Sequence, residues 1–198
     1  MYKRQRQSHA CIQIVSMLGA VFWLANPLVD IVHGDIKPEN ILAYKDGSGF
    51  YAARITDFGY STYFANEDDT IYMPQSWPWH APEHHSRGFK GVDARRMDIF
   101  SFGMVALWIM FEHYISGVET LPVEVQWARN HFEDRTQEVD KCVLDGLKQG
   151  EKLVEFAQQL VLAETGLDEA TKIWLSGFFS ASLAHEPELR DDALLSTE

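Results

Sequence analysis

Cysteine is scarce in this chain of 198 residues: Cys11 and Cys142 are the only two. They cannot make a disulfide framework, which points to a reducing compartment, the cytoplasm or the nucleus. Positive charge is also short. Seventeen Lys and Arg stand against 29 Asp and Glu, a formal net charge of −12. That balance excludes nucleic acid as the main partner, since phosphate binding needs a basic face. It leaves open a nucleotide held by a few residues and a metal ion. Long apolar runs are missing too; none reaches the ~20 residues that cross a bilayer, so no membrane partner is expected. There is no internal repeat and no low-complexity tract. What is present argues for a packed protein: 46% hydrophobic residues and six tryptophans. A chain of this length can bury roughly 70% of its unfolded surface as one domain, or as one lobe of a larger one.

The N-terminus imitates a secretory signal, with Lys3, Arg4 and Arg6 before an apolar stretch over residues 10–25. Gln13, Ser16 and Gly19 interrupt that stretch, and no small-x-small cleavage site follows. Cys11, Ile14, Val15, Leu18, Phe22 and Ala25 keep helical spacing, so a buried amphipathic helix is the better reading. Asn26-Pro27 ends it. Residues 41–44 and 50–56 read as two strands joined by Asp46-Gly47-Ser48-Gly49, a hairpin signal. Residues 57–83 form a long irregular segment with Pro74, Pro78 and Pro82, and a segment of that length inside a compact domain is usually functional. Residues 98–114 are apolar on every side and predict a helix through the centre of the domain. Residues 116–150 are more polar and read as an insertion or as peripheral helices. Leu153, Phe156, Ala157, Leu160 and Val161 make one apolar helical stripe, which Gly166 can end. Asp168 can cap the next helix, whose stripe is Ala170, Ile173, Trp174, Phe178 and Ala181.

Chemistry concentrates in His33-Gly34-Asp35-Ile36-Lys37-Pro38-Glu39-Asn40. An Asp followed by an Asn on a loop that leads into a strand can point both groups into one cleft. Asp35 can accept a proton from an attacking hydroxyl, and the Asn40 amide oxygen can ligate a hard cation. Lys37 can neutralise a transferring phosphoryl group. Asp57-Phe58-Gly59 follows at the end of the second strand; its carboxylate suits a metal, and Gly59 lets the backbone turn. Ala81-Pro82-Glu83 comes next, and then Asp98-Ile99-Phe100-Ser101-Phe102-Gly103.

These motifs, in this order, resemble the eukaryotic-type protein kinase family, whose signature set contains a catalytic loop, Asp-Phe-Gly and Ala-Pro-Glu. The resemblance implies a mainly α fold, the family's C-terminal lobe: a helical bundle with a short β-hairpin carrying the catalytic and metal-binding loops. It runs over nearly the whole chain, with the catalytic loop at 33–40, the activation segment at 57–83 and the central helix at about 98–114. It also implies roles. Asp35 would orient and deprotonate the acceptor hydroxyl. Lys37 would contact the γ-phosphate of ATP, and a Lys there looks like the serine/threonine branch. Asn40 and Asp57 would hold Mg²⁺ or Mn²⁺. His33 and Phe58 would stack in the hydrophobic spine, and Ser76 would stand beside the catalytic Asp. Asp98 would begin the central helix and hold the catalytic-loop backbone. Pro187-Glu188-Leu189-Arg190 resembles the late motif whose Arg pairs with Glu83.

Two departures accompany the resemblance. Gly34 stands where many kinases have the Arg that binds a phosphate on the activation segment. Upstream of Asp35 the sequence has no Gly-rich phosphate loop and no Val-Ala-Ile-Lys strand. The chain therefore reads as a C-terminal lobe without its N-terminal lobe, or as one whose partner supplies that lobe, and as a fragment of low activity on its own. The implied partners are ATP and a protein substrate. The competing readings are a small-molecule phosphotransferase of the aminoglycoside or choline kinase type, which also uses a His-Gly-Asp…Asn loop, and a non-catalytic, pseudokinase-like interaction module.

Several features carry bland readings beside sharp ones. His80, His84 and His85 suit a Zn²⁺ site less well than an exposed loop, since no Cys stands nearby. Glu67-Asp68-Asp69 reads as a solvated loop rather than as a cation site or a mimic of phosphorylation. Trp77 and Trp79 suit a peptide platform or core packing equally. Ser61, Thr62, Tyr63, Thr70 and Tyr72 are hydroxyls open to phosphorylation.

Overall fold

The computed structural model describes residues 31–45, 47, 51–66, 68–85, 88–117, 119–132 and 139–190. The helix expected over residues 10–25 lies outside them. The described chain is helical around one long central element. Helix α1 spans Gly91–Ile115, α2 Val139–Gln149, α3 Leu153–Ala163 and α4 Glu169–Ser182. Strands β1 (Ile31–Val32), β2 (Ile41–Lys45), β3 (Tyr51–Ile55), β4 (Thr62–Tyr63), β5 (Thr70–Tyr72) and β6 (Gly88–Lys90) are short. They form three separate antiparallel pairs among the described residues: β1 with β4, β2 with β3, and β5 with β6.

The expected hairpin is β2–β3, with Ile41 opposite Ile55 and Lys45 opposite Tyr51. Ala53 is buried, and Ile41 and Ile55 pack on the core from one end of the ladder. The other two pairs correct the expectation of a single hairpin. Both draw on the segment 57–83: β4 returns to β1, and β5 meets the strand entering α1. Pairs of two or three residues separated by long loops carry no local signal.

Helix α1 is the core. Met97, Phe100, Phe102, Met104, Val105, Ala106, Leu107 and Phe111 are essentially without exposure. The helix is long and apolar enough to cross a membrane, yet 78% of its apolar window is buried by the rest of the protein. Burying such side chains is worth about 1.5–3 kcal/mol each. Two glycines let neighbours approach. A Cβ on Gly103 would lie 2.5 Å from Ser182 Oγ, and one on Gly91 2.4 Å from the Phe64 ring. The helix departs from helical geometry at Phe111 and ends at Ser116. It also begins earlier than the expected residue 98. Lys90 is its N-cap and Asp98 sits in its third turn, because Gly91, Ala94 and Met97 form a narrow buried stripe that leads into the all-apolar part.

Residues 116–150, expected as an insertion or as peripheral helices, contribute to this core. A 3₁₀ run, Val123–Phe132, buries Val125 and Ala128, and α2 buries Val143, Leu144 and Leu147. Leu153, Phe156, Ala157, Leu160 and Val161 are the buried face of α3, as their spacing implies. Asp168 caps α4 by accepting from the Thr171 backbone N–H at 2.8 Å. The buried face of α4 differs from the expected stripe: it is Leu175, Phe178, Phe179 and Ser182, while Ile173 is 73% exposed. Two overlapping ladders share Phe178. The one containing Phe179 wins because the two Phe rings pack together at 5.1 Å and reach Phe102 and Phe111 on α1.

Candidate functional site

The loop between β1 and β2 is held from beneath. Asp98, on α1, is buried and accepts from the His33 N–H at 2.6 Å and from the Gly34 N–H at 3.0 Å. Burial pushes its carboxyl up to about 7, against the pull of those two N–H groups. Asp98 thus holds the loop backbone as expected, from inside the helix. Gly34 has φ +82, and a Cβ there would stand 3.2 Å from the Tyr60 carbonyl, so this glycine meets both a left-handed backbone and a close approach.

The His33 ring is fixed at both nitrogens. Its Nε2 lies 3.1 Å from the Thr56 carbonyl, which can only accept, so Nε2 carries the proton. Nδ1 then accepts from the Asp35 N–H at 3.3 Å. Burial lowers the pKa of His33, which keeps the ring neutral. The Phe58 ring meets it edge-on at 5.2 Å rather than stacked, and Phe58 itself is 64% exposed.

The Asp35 carboxylate is almost fully buried and gripped at both oxygens. Ser76 Oγ donates to Oδ1 at 2.5 Å. Lys37 Nζ donates to Oδ2 at 2.6 Å, and Asn40 Nδ2 donates to the same oxygen at 3.2 Å and to the Asp35 carbonyl at 2.9 Å. With its amide nitrogen turned to Asp35, Asn40 directs its Oδ1 away from that carboxylate. Asn40 is the last residue of a 3₁₀ turn, Pro38–Asn40, whose fixed proline φ suits a first helical position. The Asn40 carbonyl accepts from the Thr56 N–H at 2.8 Å, tying the end of the 33–40 loop to the strand that leads to Asp57.

Asp57 is exposed and left-handed, φ 61 and ψ 72, and its Oδ1 accepts from the Gly59 N–H at 3.3 Å. A left-handed non-glycine residue is strained, a cost often found at ligand sites. Glu83 and Arg190 form the expected pair, at 2.5 and 2.9 Å through two parallel hydrogen bonds. Arg190 also donates to the carbonyls of Ala184, His185 and Arg96, and its guanidinium lies 4.7 Å over the Phe100 ring.

Asp35, Lys37, Asn40 and Ser76 therefore meet directly. His33, Phe58 and Asp98 support the loop, Glu83 and Arg190 lock the end of the segment, and the Asp57 carboxylate touches none of the four. Among the described residues no group of three or more His, Cys, Asp or Glu could hold a metal by itself. Of the three histidines expected on an exposed loop, His85 is exposed and the other two are not. His84 is buried and His80 partly so, and burial lowers the pKa of both, that of His80 to about 4. The two tryptophans divide: Trp79 is buried edge-on to Trp108 at 5.9 Å, whereas Trp77 is 40% exposed. Asp69 closes a turn by accepting from the Ala65 and Asn66 N–H groups, and Asp68 pairs with Lys90. Sequence reasoning passed over Lys148, which is 1% exposed. A lysine in the last turn of a helix reads as a solvated partner of the dipole, and nothing local marks it otherwise.

The model of the protein kinase domain matches residues 3–162. The chain is 30% identical over 120 residues to the receptor-like cytosolic serine/threonine-protein kinase RBK1 of Arabidopsis thaliana, covering 54% of this chain and 22% of that protein. It is 35% identical over 92 residues to a PR5-like receptor kinase of the same plant, covering 45% and 13%. It is 30% identical over 131 residues to the nodulation receptor kinase of Pisum sativum, covering 61% and 13%. The chain thus spans less than a quarter of the length of these relatives. With the family's loop seated on the central helix and the match running through most of the sequence, the chain belongs to the protein kinase family.

Proposed function

We propose that the chain is the catalytic lobe of a serine/threonine protein kinase, transferring the γ-phosphoryl group of ATP to a protein hydroxyl. The observation that carries this reading is the buried Asp35 carboxylate, gripped by Ser76, Lys37 and Asn40. Such a carboxylate has one geometry, and it keeps unused lone pairs for an incoming hydroxyl hydrogen. Lys37, beside it, brings positive charge to where a transferring phosphoryl group would gather negative charge. Phosphoryl transfer depends mostly on such positioning and neutralisation.

The donor chemistry at Asn40 and Asp57 fits Mg²⁺ or Mn²⁺. One amide oxygen and one exposed carboxylate are what a hard cation uses when substrate phosphates and water complete its shell. Asn40 Oδ1 and Asp57 would hold it, and when bound it supplies neutralisation of the phosphate charge. The Ser76 bridge and the Glu83–Arg190 lock favour a protein acceptor over a small molecule, because the first ties the 57–83 segment to the Asp35 loop and the second ties its end to the central helix and to the chain after α4. These 198 residues contain no Gly-rich phosphate loop and no strand lysine, so alone they transfer little phosphate.

The test is where the label goes. The chain, joined behind the N-terminal lobe of a relative, is given Mg-[γ-³²P]ATP with a basic protein, an aminoglycoside and choline. Phosphoserine and phosphothreonine on the protein are expected. Label on the aminoglycoside or choline, with none on the protein, would overturn the reading.

A further inference from the structure

Helix α2 grips the segment that carries Ser76, and one buried ammonium does most of it. Lys148 stands next to last in α2, yet its side chain is 1% exposed. Its Nζ donates to the Pro78 carbonyl at 2.6 Å and to the His80 carbonyl at 3.1 Å, and it lies 3.1 Å from Asp145 Oδ1. An ammonium is buried at high cost unless hydrogen bonds and opposite charge meet it; here two carbonyls accept from it and the Asp145 carboxylate faces it as an ion pair. Burial pulls its pKa below the usual lysine range, with Asp145 opposing.

The two carbonyls flank Trp79, whose ring packs against Trp108 on α1. Trp108 Nε1 in turn donates to Asp140 Oδ2 on α2 at 2.9 Å. Helix α2 therefore reaches the same short stretch twice, through Lys148 and through Trp108. The stretch is a single turn: the His80 N–H donates to the Ser76 carbonyl at 3.0 Å. At its start, Ser76 Oγ donates to Asp35 Oδ1. A continuous path of hydrogen bonds and one backbone turn thus leads from the end of α2 to the catalytic carboxylate.

We propose that Lys148 is a positioning residue for Asp35: by fixing the Pro78 and His80 carbonyls it holds the turn that aims the Ser76 hydroxyl at the Asp35 carboxylate. Its consequence for transfer rests on the protein kinase reading; the coupling itself does not. Without the ammonium, two carbonyls in a dry place lose their donor, and the turn must shift to find others. Ser76 then loosens from Oδ1, and Asp35 keeps only the grip of Lys37 and Asn40.

Nuclear magnetic resonance on the 198-residue chain reads this without any need for activity. The signals are the Asp35 carboxylate carbon and the Asn40 side-chain amide. Ser76→Ala defines the displacement expected when the hydroxyl is lost. Lys148→Met should move both signals in the same direction as Ser76→Ala. Leu160→Ala, a cavity in α3 far along the chain from the loop, should lower the unfolding midpoint and leave both signals in place. Lys148→Gln, which keeps a neutral donor, serves if Lys148→Met does not fold; it should give a smaller displacement in the same direction. Signals unchanged from wild type in the folded Lys148 variant, or moved no more than by Leu160→Ala, would overturn the proposal. In the two-lobed form, Lys148→Met should lower kcat about 100-fold, as a misplaced catalytic group does, with the KM for ATP unchanged. A raised KM with kcat intact would contradict positioning. Transfer that survives Asp35→Asn would sink the kinase reading while leaving the spectroscopic coupling standing.

Discussion

Arg190 shows how much one side chain can hold. A guanidinium has five N–H donors, and those of Arg190 reach Glu83 twice and the carbonyls of Ala184, His185 and Arg96. Its side chain is fully buried, while that of Glu83 is 23% exposed. Removing one partner of a buried pair strands the other charge, so Arg190→Ala should cost about 3–5 kcal/mol, read as a lower urea midpoint. Arg190→Lys should recover little of it, since an ammonium cannot reproduce the paired geometry. A loss no larger than that of a surface substitution would refute the lock. His80 offers a test of pH. Its pKa falls to about 4, chiefly through burial and next through the Lys148 charge. Above pH 6.5 it is neutral folded and unfolded alike. Between 6.5 and 4 the unfolded chain takes a proton that the folded chain refuses, so stability drops as pH falls through that window. His80→Gln should make the acid limb of the unfolding midpoint shallower there. His33 and His84 shift the same way and leave a residual slope; an unchanged slope in the variant would contradict the assignment.

At the scale of elements, packing between helices decides what the sequence could and could not tell. Gly103 lets α1 and α4 touch at Ser182 and Leu183. Gly103→Ala should cost about 1–3 kcal/mol from overpacking, despite alanine's better helix propensity. A variant as stable as wild type in thermal unfolding would show that the contact can relax. Helix α3 was legible because its five apolar residues make a single stripe. Helix α4 was not, because two ladders compete and only the rings on α1 choose between them. The start of α1 was hidden because Gly91 and the charged Asp93, Arg95 and Arg96 break the apolar pattern. The catalytic loop was the most legible part. Its residue types stand at adjacent positions, whereas the Ser76 bridge spans 41 residues and was legible only through the family resemblance, and the Lys148 contact with the Pro78 carbonyl spans 70 and leaves no local trace.

For the whole molecule, charge and exposure define what surrounds the site. On the proposed reading, the net charge of −12 would favour a basic acceptor by simple attraction. Leu42 and Phe58 remain more than half exposed beside the Asp35 loop; on the proposed reading an upper lobe would cover them and exclude water from bound ATP. Gly34 supplies no guanidinium, so a phosphate on the 57–83 segment lacks its usual partner. In the two-lobed form, replacing Thr62, Thr70 and Tyr72 by Val, Val and Phe should leave the transfer rate unchanged. A fall to the level of Asp35→Asn would overturn that expectation.

The most direct test of the account is ³²P transfer from Mg-ATP to a basic protein by four proteins: the 198-residue chain, the same chain joined to a kinase N-terminal lobe, and each with Asp35→Asn. The account predicts strong labelling by the joined protein alone, reduced by about 10²–10⁴-fold when Asp35 loses its charge. Labelling by the joined protein that persists with Asp35→Asn, or strong labelling by the 198 residues alone, would contradict it.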